Sequence, residues 1–318
     1  MGRNIIVAEP LSQEKLGALT EEAERLGFSV LYKPGSAAEN LEDAEIFFGI
    51  YDPGVAVPDN LKWICLPTAG VNGYTTIERI KSGDCLLSCS SGAYGVTISE
   101  HIIMMILMLM RRIPEYLEDL RHDIWRNDRR LRSIYGSRIT VLGTGDIGNT
   151  TAARLQAFEP ECITGISKTG IRKSCCYNEV LPVTELDSVL SKTDLLIMAL
   201  PETEETVGII GSRQIDLLRD GAMLINVGRG SAIDEESLIK ALESGKLAGA
   251  ALDVIRHEPV TKDDPLLSAP NLLLTPHMAG QRTLERTVCR VLDMFTEDLK
   301  HYAAGEPLVH RVNPDRGY

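Results

Sequence analysis

Apolar and polar positions come in short blocks along this chain, and the blocks read alternately as strands and helices. Residues 5–7 read as a strand, 13–26 carry helical spacing, and 29–32 read as a strand again. Short apolar runs follow at Phe47-Phe48, Trp63-Ile-Cys-Leu66 and Leu86-Leu87. Strands that alternate with helices predict a parallel sheet, because parallel neighbours need a crossover connection. A longer apolar run, Ile102 to Met110, lies inside a helix predicted from about Ser99 to Arg112, with Ser99 as its candidate cap. Charges at Glu100 and Arg111-Arg112 bound that run at about half the length of a bilayer span, so it predicts a buried helix. Residues 115–135, with Glu115, Asp119, Arg121, Asp123, Arg126 and Arg129, read as a polar, exposed stretch.

The alternation restarts at Ile139. Strands are predicted at 139–142, 163–166, 195–199, 223–227, 248–254 and 272–274. Helices fall between them near 147–158, 184–191, 212–218 and 234–244, with a last one near 281–300. Six such strands make a doubly wound unit, and the last helix is long enough to return to the first domain. The fold class is α/β with two domains. One domain, at 99–289, is expected to be inserted in the other, at 1–98 plus 290–318.

A glycine turn opens the second domain. The run Arg138-Ile-Thr-Val-Leu142 leads into Gly143-x-Gly145-x-x-Gly148, and a helical pattern follows. In that setting Gly143 allows the tight turn and Gly145 lets backbone approach a pyrophosphate. Gly148 lets helix and strand pack closely, with the helix N-terminus facing the phosphates. Strand before and helix after turn a weak pattern into an expectation of dinucleotide binding.

Composition narrows the class. The 318 residues are 44% hydrophobic and 25% charged, ordinary for a soluble globular protein of two domains. A net charge of -12 argues against nucleic acid or an anionic membrane surface as partner. The N-terminal run to Ala8 has too short an apolar core for a signal peptide and reads as a first strand. Cysteines 65, 85, 89, 162, 175, 176 and 289 are odd in number and follow no disulfide framework, so free thiols and a cytoplasmic location are expected. Cys85-x-x-x-Cys89 lies on an apolar run with no His nearby in sequence, and no metal is expected.

Three polar residues each follow an apolar strand: Arg229 in Asn226-Val-Gly-Arg-Gly230, Glu258 in Asp253-Val-Ile-Arg-His-Glu-Pro259, and His277 in Leu274-Thr-Pro-His-Met-Ala-Gly280. Open α/β sheets bind ligands at the carboxyl ends of their strands. An imidazole titrates near working pH and suits general acid catalysis, a carboxylate beside it orients the ring, and a guanidinium can hold and polarise a carboxylate-bearing carbonyl substrate. Together these types suit reduction of a 2-oxo acid.

On these residues the chain resembles the D-isomer-specific 2-hydroxyacid dehydrogenase family, with its glyoxylate/hydroxypyruvate reductase, D-lactate and phosphoglycerate dehydrogenase branches. The resemblance runs through Leu66-Pro-Thr-Ala-Gly-Val-Asn72, Ile98-Ser-Glu-His101, the glycine turn, Leu200-Pro-Glu-Thr-Glu-Glu-Thr206, Asn226 to Gly230, Ala250-Ala-Leu-Asp-Val254 and Thr275 to Gly280. It implies a Rossmann dinucleotide-binding domain at 99–289 inserted in a flavodoxin-like α/β substrate-binding domain at 1–98 plus 290–318, and Arg229, Glu258 and His277 as the catalytic set. Backbone N–H groups at Ala69, Gly70 and Val71, with Arg229, would bind substrate. Cofactor contacts are implied at Gly143, Thr144, Gly145, Asp146, Ile147, Gly148, Ser167, Lys168, Thr169, Pro201, Thr206, Val227, Gly228, Arg229, Asp253, His277 and Gly280, with Asp253 on the nicotinamide side. The helix at Ser99 would be a hinge and part of a homodimer interface.

Departures from the family pattern carry information. NAD-selective relatives end the second strand with an acidic residue that accepts the ribose 2′-hydroxyl. Here that end reads Ser167, Lys168, Thr169, with Arg172 soon after, so NADP(H) is expected in preference to NAD(H). Asn72 and Glu159-Pro160 also depart from common family residues without removing a catalytic group. The long regulatory extension of some phosphoglycerate dehydrogenases is not seen, which argues against allosteric serine control. The expected activity is interconversion of a small 2-oxo acid and its D-2-hydroxy acid, with glyoxylate or hydroxypyruvate favoured among substrates. The alternative is a nucleotide-sensing corepressor with the same fold. Formate dehydrogenases pair His with Gln, so Glu258 argues against that branch.

Overall fold

The computed structural model describes residues 3–35, 41, 43–172 and 174–316. The chain divides into two units, Met1–Tyr94 with Arg282–Tyr318, and Gly95–Gln281. The expected boundaries at 98/99 and 289/290 sit a few residues later at both crossings. The first crossing falls where a helix begins at Gly95, and the second falls in the turn before the C-terminal helix.

The first unit runs β1 (Asn4–Val7), α1 (Gln13–Arg25), β2 (Ser29–Tyr32), β3 (Ile46–Phe48), β4 (Trp63–Leu66), α2 (Glu78–Lys81) and β5 (Leu86–Cys89). Its five strands are all parallel, in the order β2-β1-β3-β4-β5. β3 and β4 are buried along their whole length, as parallel strands covered on both faces must be, which is why they read as continuous apolar runs.

The second unit contains α3 (Gly95–Met110), α4 (Ile113–Arg121), β6 (Arg138–Leu142), α5 (Asp146–Leu155), β7 (Cys162–Ser167), β8 (Glu179–Pro182), α6 (Leu186–Leu190), β9 (Leu195–Met198), α7 (Ser212–Leu217), β10 (Ala222–Asn226), α8 (Glu235–Glu243), β11 (Leu247–Leu252) and β12 (Leu272–Leu274). Its seven strands lie in the order β12-β11-β10-β9-β6-β7-β8. The order reverses between β6 and β9, which is where open sheets of this kind form their ligand crevice. Leu196, Met198, Leu224 and Leu252 form the apolar centre of the sheet, with Leu190, Leu238 and Leu242 packed over it.

The chain then returns to the first unit through α9 (Glu285–Ala304). Phe295 of α9 stacks on Phe48 of β3 at 4.3 Å between centroids and on Trp63 of β4 at 5.3 Å. That aromatic stack is the reason a distant C-terminal segment completes the first domain.

Three sequence expectations change. The long helix begins at Gly95, not Ser99, and its first amide is held by Asp146 Oδ2, which accepts from Gly95 N–H at 2.7 Å. Ser99 is therefore a buried interior residue whose hydroxyl donates to Val96 O, not a cap. Part of the polar stretch at 115–135 is helical (α4), and β8 adds a seventh strand. β8 pairs with β7 alone at a sheet edge and is only half-buried, so it lacks the apolar run that marked the others. Among the described residues, no helix is long and apolar enough to cross a membrane.

Candidate active site

The glycine turn is built as a cradle. Gly143 has φ +104°, and a Cβ there would meet Ala199 O at 2.5 Å. A Cβ on Gly148 would meet Gly143 O at 2.0 Å, so only glycine lets α5 pack this close to β6. Gly145 is exposed, and a Cβ on it would find nothing within 4 Å. The opening lies at the N-terminus of α5, where unsatisfied N–H groups and the helix dipole favour a phosphate. The cradle thus fits a dinucleotide pyrophosphate on its own geometry. Thr144 and Ile147 flank it, half-buried. Asp146, at the start of α5, has its carboxylate accepting from the first amide of α3.

At the end of β7, Ser167 Oγ accepts from Gly170 N–H at 3.0 Å, and Thr169 Oγ1 accepts from Ile171 N–H at 3.4 Å. Lys168 Nζ donates to Glu205 Oε1 at 2.8 Å. Arg172 is turned to its own loop, donating to the carbonyls of Ser174, Cys175 and Asn178. After β9, Thr206 Oγ1 donates to Pro201 O at 2.7 Å and accepts from Thr203 N–H at 2.8 Å, which ties the turn at 201–206 to itself.

At the end of β10, buried Asn226 brackets the next three residues. Its Oδ1 accepts from Gly228 N–H at 3.0 Å and its Nδ2 donates to Arg229 O at 2.9 Å. A Cβ on Gly228 would meet Leu200 N and O at 2.6 Å, so this glycine lets the segment run against the end of β9. Val227 is tied to β9 through Met198 O. Arg229 then projects its guanidinium, with Nη1 donating to Gly228 O at 2.8 Å. Burial pulls its pKa below its ordinary value, and the carboxylates of Glu202 and Glu258 oppose that pull. The guanidinium stays charged and feels Glu258, which brings two of the three expected catalytic groups into one electrostatic neighbourhood.

The third joins them directly. His277 Nδ1 lies 2.7 Å from Glu258 Oε2, while Glu258 Oε1 accepts from Ile255 N–H at 3.1 Å. A carboxylate partner assigns the Nδ1 proton and leaves Nε2 for chemistry. His277 sits at φ +50°, an uncommon place for a side-chain-bearing residue, and its N–H donates to Asp253 O at 2.8 Å. Asp253, 2% exposed, gathers the rest of the turn: its carboxylate accepts from Thr275 Oγ1 at 2.6 Å, Met278 N–H at 3.0 Å and Ala279 N–H at 2.9 Å. The side chain that the resemblance set toward nicotinamide is thus engaged inside the protein, shaping the turn that carries His277. Gly280, half-buried, closes that turn. His101 Nε2 lies 3.1 Å from Thr275 Oγ1 and 3.6 Å from Asp253 Oδ1.

The expected substrate turn belongs to the first unit. There Thr68 Oγ1 donates to Gly70 O at 3.1 Å and Ser90 N–H donates to Thr68 O at 2.9 Å, while Val71 is buried and Ala69 and Gly70 are partly open.

The model of the D-isomer specific 2-hydroxyacid dehydrogenase NAD binding domain matches residues 103–279, more than half of the chain. The chain belongs to this family. A D-3-phosphoglycerate dehydrogenase of Archaeoglobus fulgidus is 27% identical over 97% of this chain, which spans 59% of that protein's length. A glyoxylate/hydroxypyruvate reductase A of Citrobacter koseri is 30% identical, covering 85% of this chain and 86% of its own length. The crystal structure of a D-isomer specific 2-hydroxyacid dehydrogenase from Xanthobacter autotrophicus Py2 in complex with NADPH and MES superposes with a TM-score of 0.84 at 27% identity, over 100% of both chains. Members of the family are NAD(P)-dependent oxidoreductases acting on CH–OH donors, and this chain is an enzyme of that class.

Reasoning from sequence overlooked Thr275, His101 and Glu205. Thr275 and His101 stand inside motifs already noticed, but their partners are 22 and 174 residues away in the chain. Glu205 looked like one of three loop acids.

Proposed function

We propose that this enzyme reduces a small 2-oxo acid to its D-2-hydroxy acid, with NADPH preferred over NADH. The observation that carries the reading is the 2.7 Å pair between His277 Nδ1 and Glu258, within electrostatic reach of Arg229 and on the same unit as the glycine cradle. The cofactor, when bound, supplies hydride to the carbonyl carbon. Arg229 holds the substrate carboxylate and polarises the carbonyl. His277 Nε2 delivers a proton to the developing alkoxide, and in the reverse direction takes it back. Glu258 fixes the ring so that Nε2 points outward. Gly143, Gly145 and Gly148 receive the pyrophosphate. Lys168 faces the ribose 2′-phosphate, with Ser167 and Thr169 beside it, and Pro201, Thr206, Val227 and Gly228 line the cofactor groove. The turn at Ala69, Gly70 and Val71 keeps the role in carboxylate binding that the family resemblance gives it.

The reductase of Citrobacter koseri and the NADPH-bound relative support glyoxylate or hydroxypyruvate as substrate and NADP(H) as cofactor. The same relatives favour an enzyme over a nucleotide-sensing corepressor, which would carry the same fold and the same three residues. We also place the enzyme in the cytoplasm as a homodimer. The free cysteines suit a reducing compartment. Leu117, Leu120, Ile124 and Trp125 present an apolar series along α4 and beyond, with Trp125 88% exposed, as an unpaired interface would. Light scattering on the full chain checks the assembly, and a monomer at micromolar concentration removes it. The activity is tested by following NADPH and NADH oxidation against a panel of 2-oxo acids. Turnover with glyoxylate or hydroxypyruvate fixes the substrate class, a clear NADH preference overturns the cofactor reading, and silence across the panel overturns the reaction.

A further inference from the structure

The ammonium of Lys168 lies 2.8 Å from Glu205 Oε1 and 2.7 Å from Oε2. Lys168 directly follows the end of β7 at Ser167, and Glu205 stands on the turn that Thr206 ties to Pro201 and Thr203. The carboxylate is therefore presented from a fixed turn to a fixed strand end, although both side chains are exposed, 62% and 66%. Among the described residues of this loop, the Ser167 and Thr169 oxygens accept local amides, and Arg172 donates to carbonyls of its own loop.

A phosphate arriving at this strand end thus meets a cation that already has an anionic partner. Binding requires Lys168 to turn from Glu205 to the phosphate, and it sets a dianion close to a carboxylate. The acid comes from a different loop than the second-strand acid of NAD-selective relatives, but it opposes the same group.

We propose that Glu205 is a selectivity residue for the cofactor: by holding Lys168 and repelling a 2′-phosphate, it restrains the preference for NADP(H) and leaves NAD(H) usable. The proposal rests on the reading that Lys168 meets the 2′-phosphate. Removing Glu205 then tightens binding of the phosphorylated adenosine alone. Exposed ion pairs of this kind correspond to roughly two- to fivefold in affinity, and lost repulsion adds to that.

The test is calorimetric titration of the full chain with 2′,5′-ADP and with 5′-AMP, which needs no turnover. E205Q is expected to lower the Kd for 2′,5′-ADP about fivefold and to leave 5′-AMP within about twofold. E204Q removes the same charge from the same turn, at a residue other than the one paired with Lys168 in the structure, and is expected to change neither. K168A is expected to weaken 2′,5′-ADP about tenfold. If K168A leaves 2′,5′-ADP unchanged, the reading of Lys168 fails and the role of Glu205 with it. If K168A weakens binding while E205Q does not tighten it, or E204Q tightens it equally, the Glu205 proposal alone is overturned.

Discussion

Thr275 and Asp253 are joined by a 2.6 Å hydrogen bond, from a threonine hydroxyl to a carboxylate with almost no solvent contact. The same carboxylate takes two backbone amides from the turn, and the Asp253 carbonyl takes the amide of His277. In Asp253→Asn one acceptor oxygen becomes an NH₂ group facing N–H donors. A buried donor left unsatisfied costs about 1–3 kcal/mol, and a looser turn misplaces the imidazole. The variant should melt several degrees lower and show kcat reduced by roughly tenfold or more. Thermal melts read beside steady-state rates check this; an unchanged melting temperature with normal kcat removes Asp253 from the positioning role.

Two glycines of one motif should fail in opposite ways. Gly145 has φ -78° and open space around it, so Gly145→Ala folds normally and loses affinity for dinucleotide because the methyl occupies the cradle. Gly148→Ala must force apart β6 and α5, at a cost of about 1–3 kcal/mol. Melting temperature and cofactor Kd, measured on both variants, separate the two. Equal melting temperatures would contradict the packing role given to Gly148.

Burial lowers the pKa of His101 below its ordinary 6.5, and the charge of Asp253 only partly opposes the shift. The folded protein therefore holds fewer protons on this ring than the unfolded chain does once pH drops below 6.5. Stability tied to the neutral ring is fully present above 6.5 and is lost as pH falls toward the lowered folded value. His101→Gln keeps a polar group near Thr275 and removes the titration. Melting temperatures of both proteins from about pH 8 down to 5 should show the wild type losing more than the variant on the acid side. A constant difference across the range would refute the assignment.

What could be read from sequence divides along physical lines. Central strands such as β4 and β9 are buried on both faces, so their apolar runs mark them without knowledge of their neighbours. Edge strand β8 has no such mark. Gly143 and Gly148 were legible because a left-handed turn and close helix–strand packing require glycine there, whereas Gly145, Arg229, Glu258 and His277 were singled out by motif spacing and by the strand ends they follow. The side-chain partners of Asp146, Asp253 and Glu205 were not legible, for a common reason. Each is defined by a partner far away in the chain: Gly95, the turn at 275–279, and Lys168. An acid beside a binding motif reads as a ligand contact until the fold shows which amide or ammonium it already holds.

The chemistry itself predicts two distinct lesions. His277 Nδ1 lies 2.7 Å from Glu258 Oε2, so His277→Ala removes the proposed proton donor and keeps the Arg229 guanidinium. Loss of general acid catalysis should lower kcat about 10²–10⁴-fold with a smaller change in KM. Arg229 is half-buried and bracketed by Asn226. On the proposed mechanism Arg229→Ala removes both carboxylate binding and carbonyl polarisation, so KM should rise as kcat falls. Arg229→Lys keeps a charge but not the two-pronged geometry, and should recover only part of the loss. Steady-state kinetics with the best 2-oxo acid decide between these patterns. Near-normal turnover in His277→Ala would remove the imidazole as proton donor, and an Arg229→Ala variant with raised KM and untouched kcat would confine the guanidinium to binding.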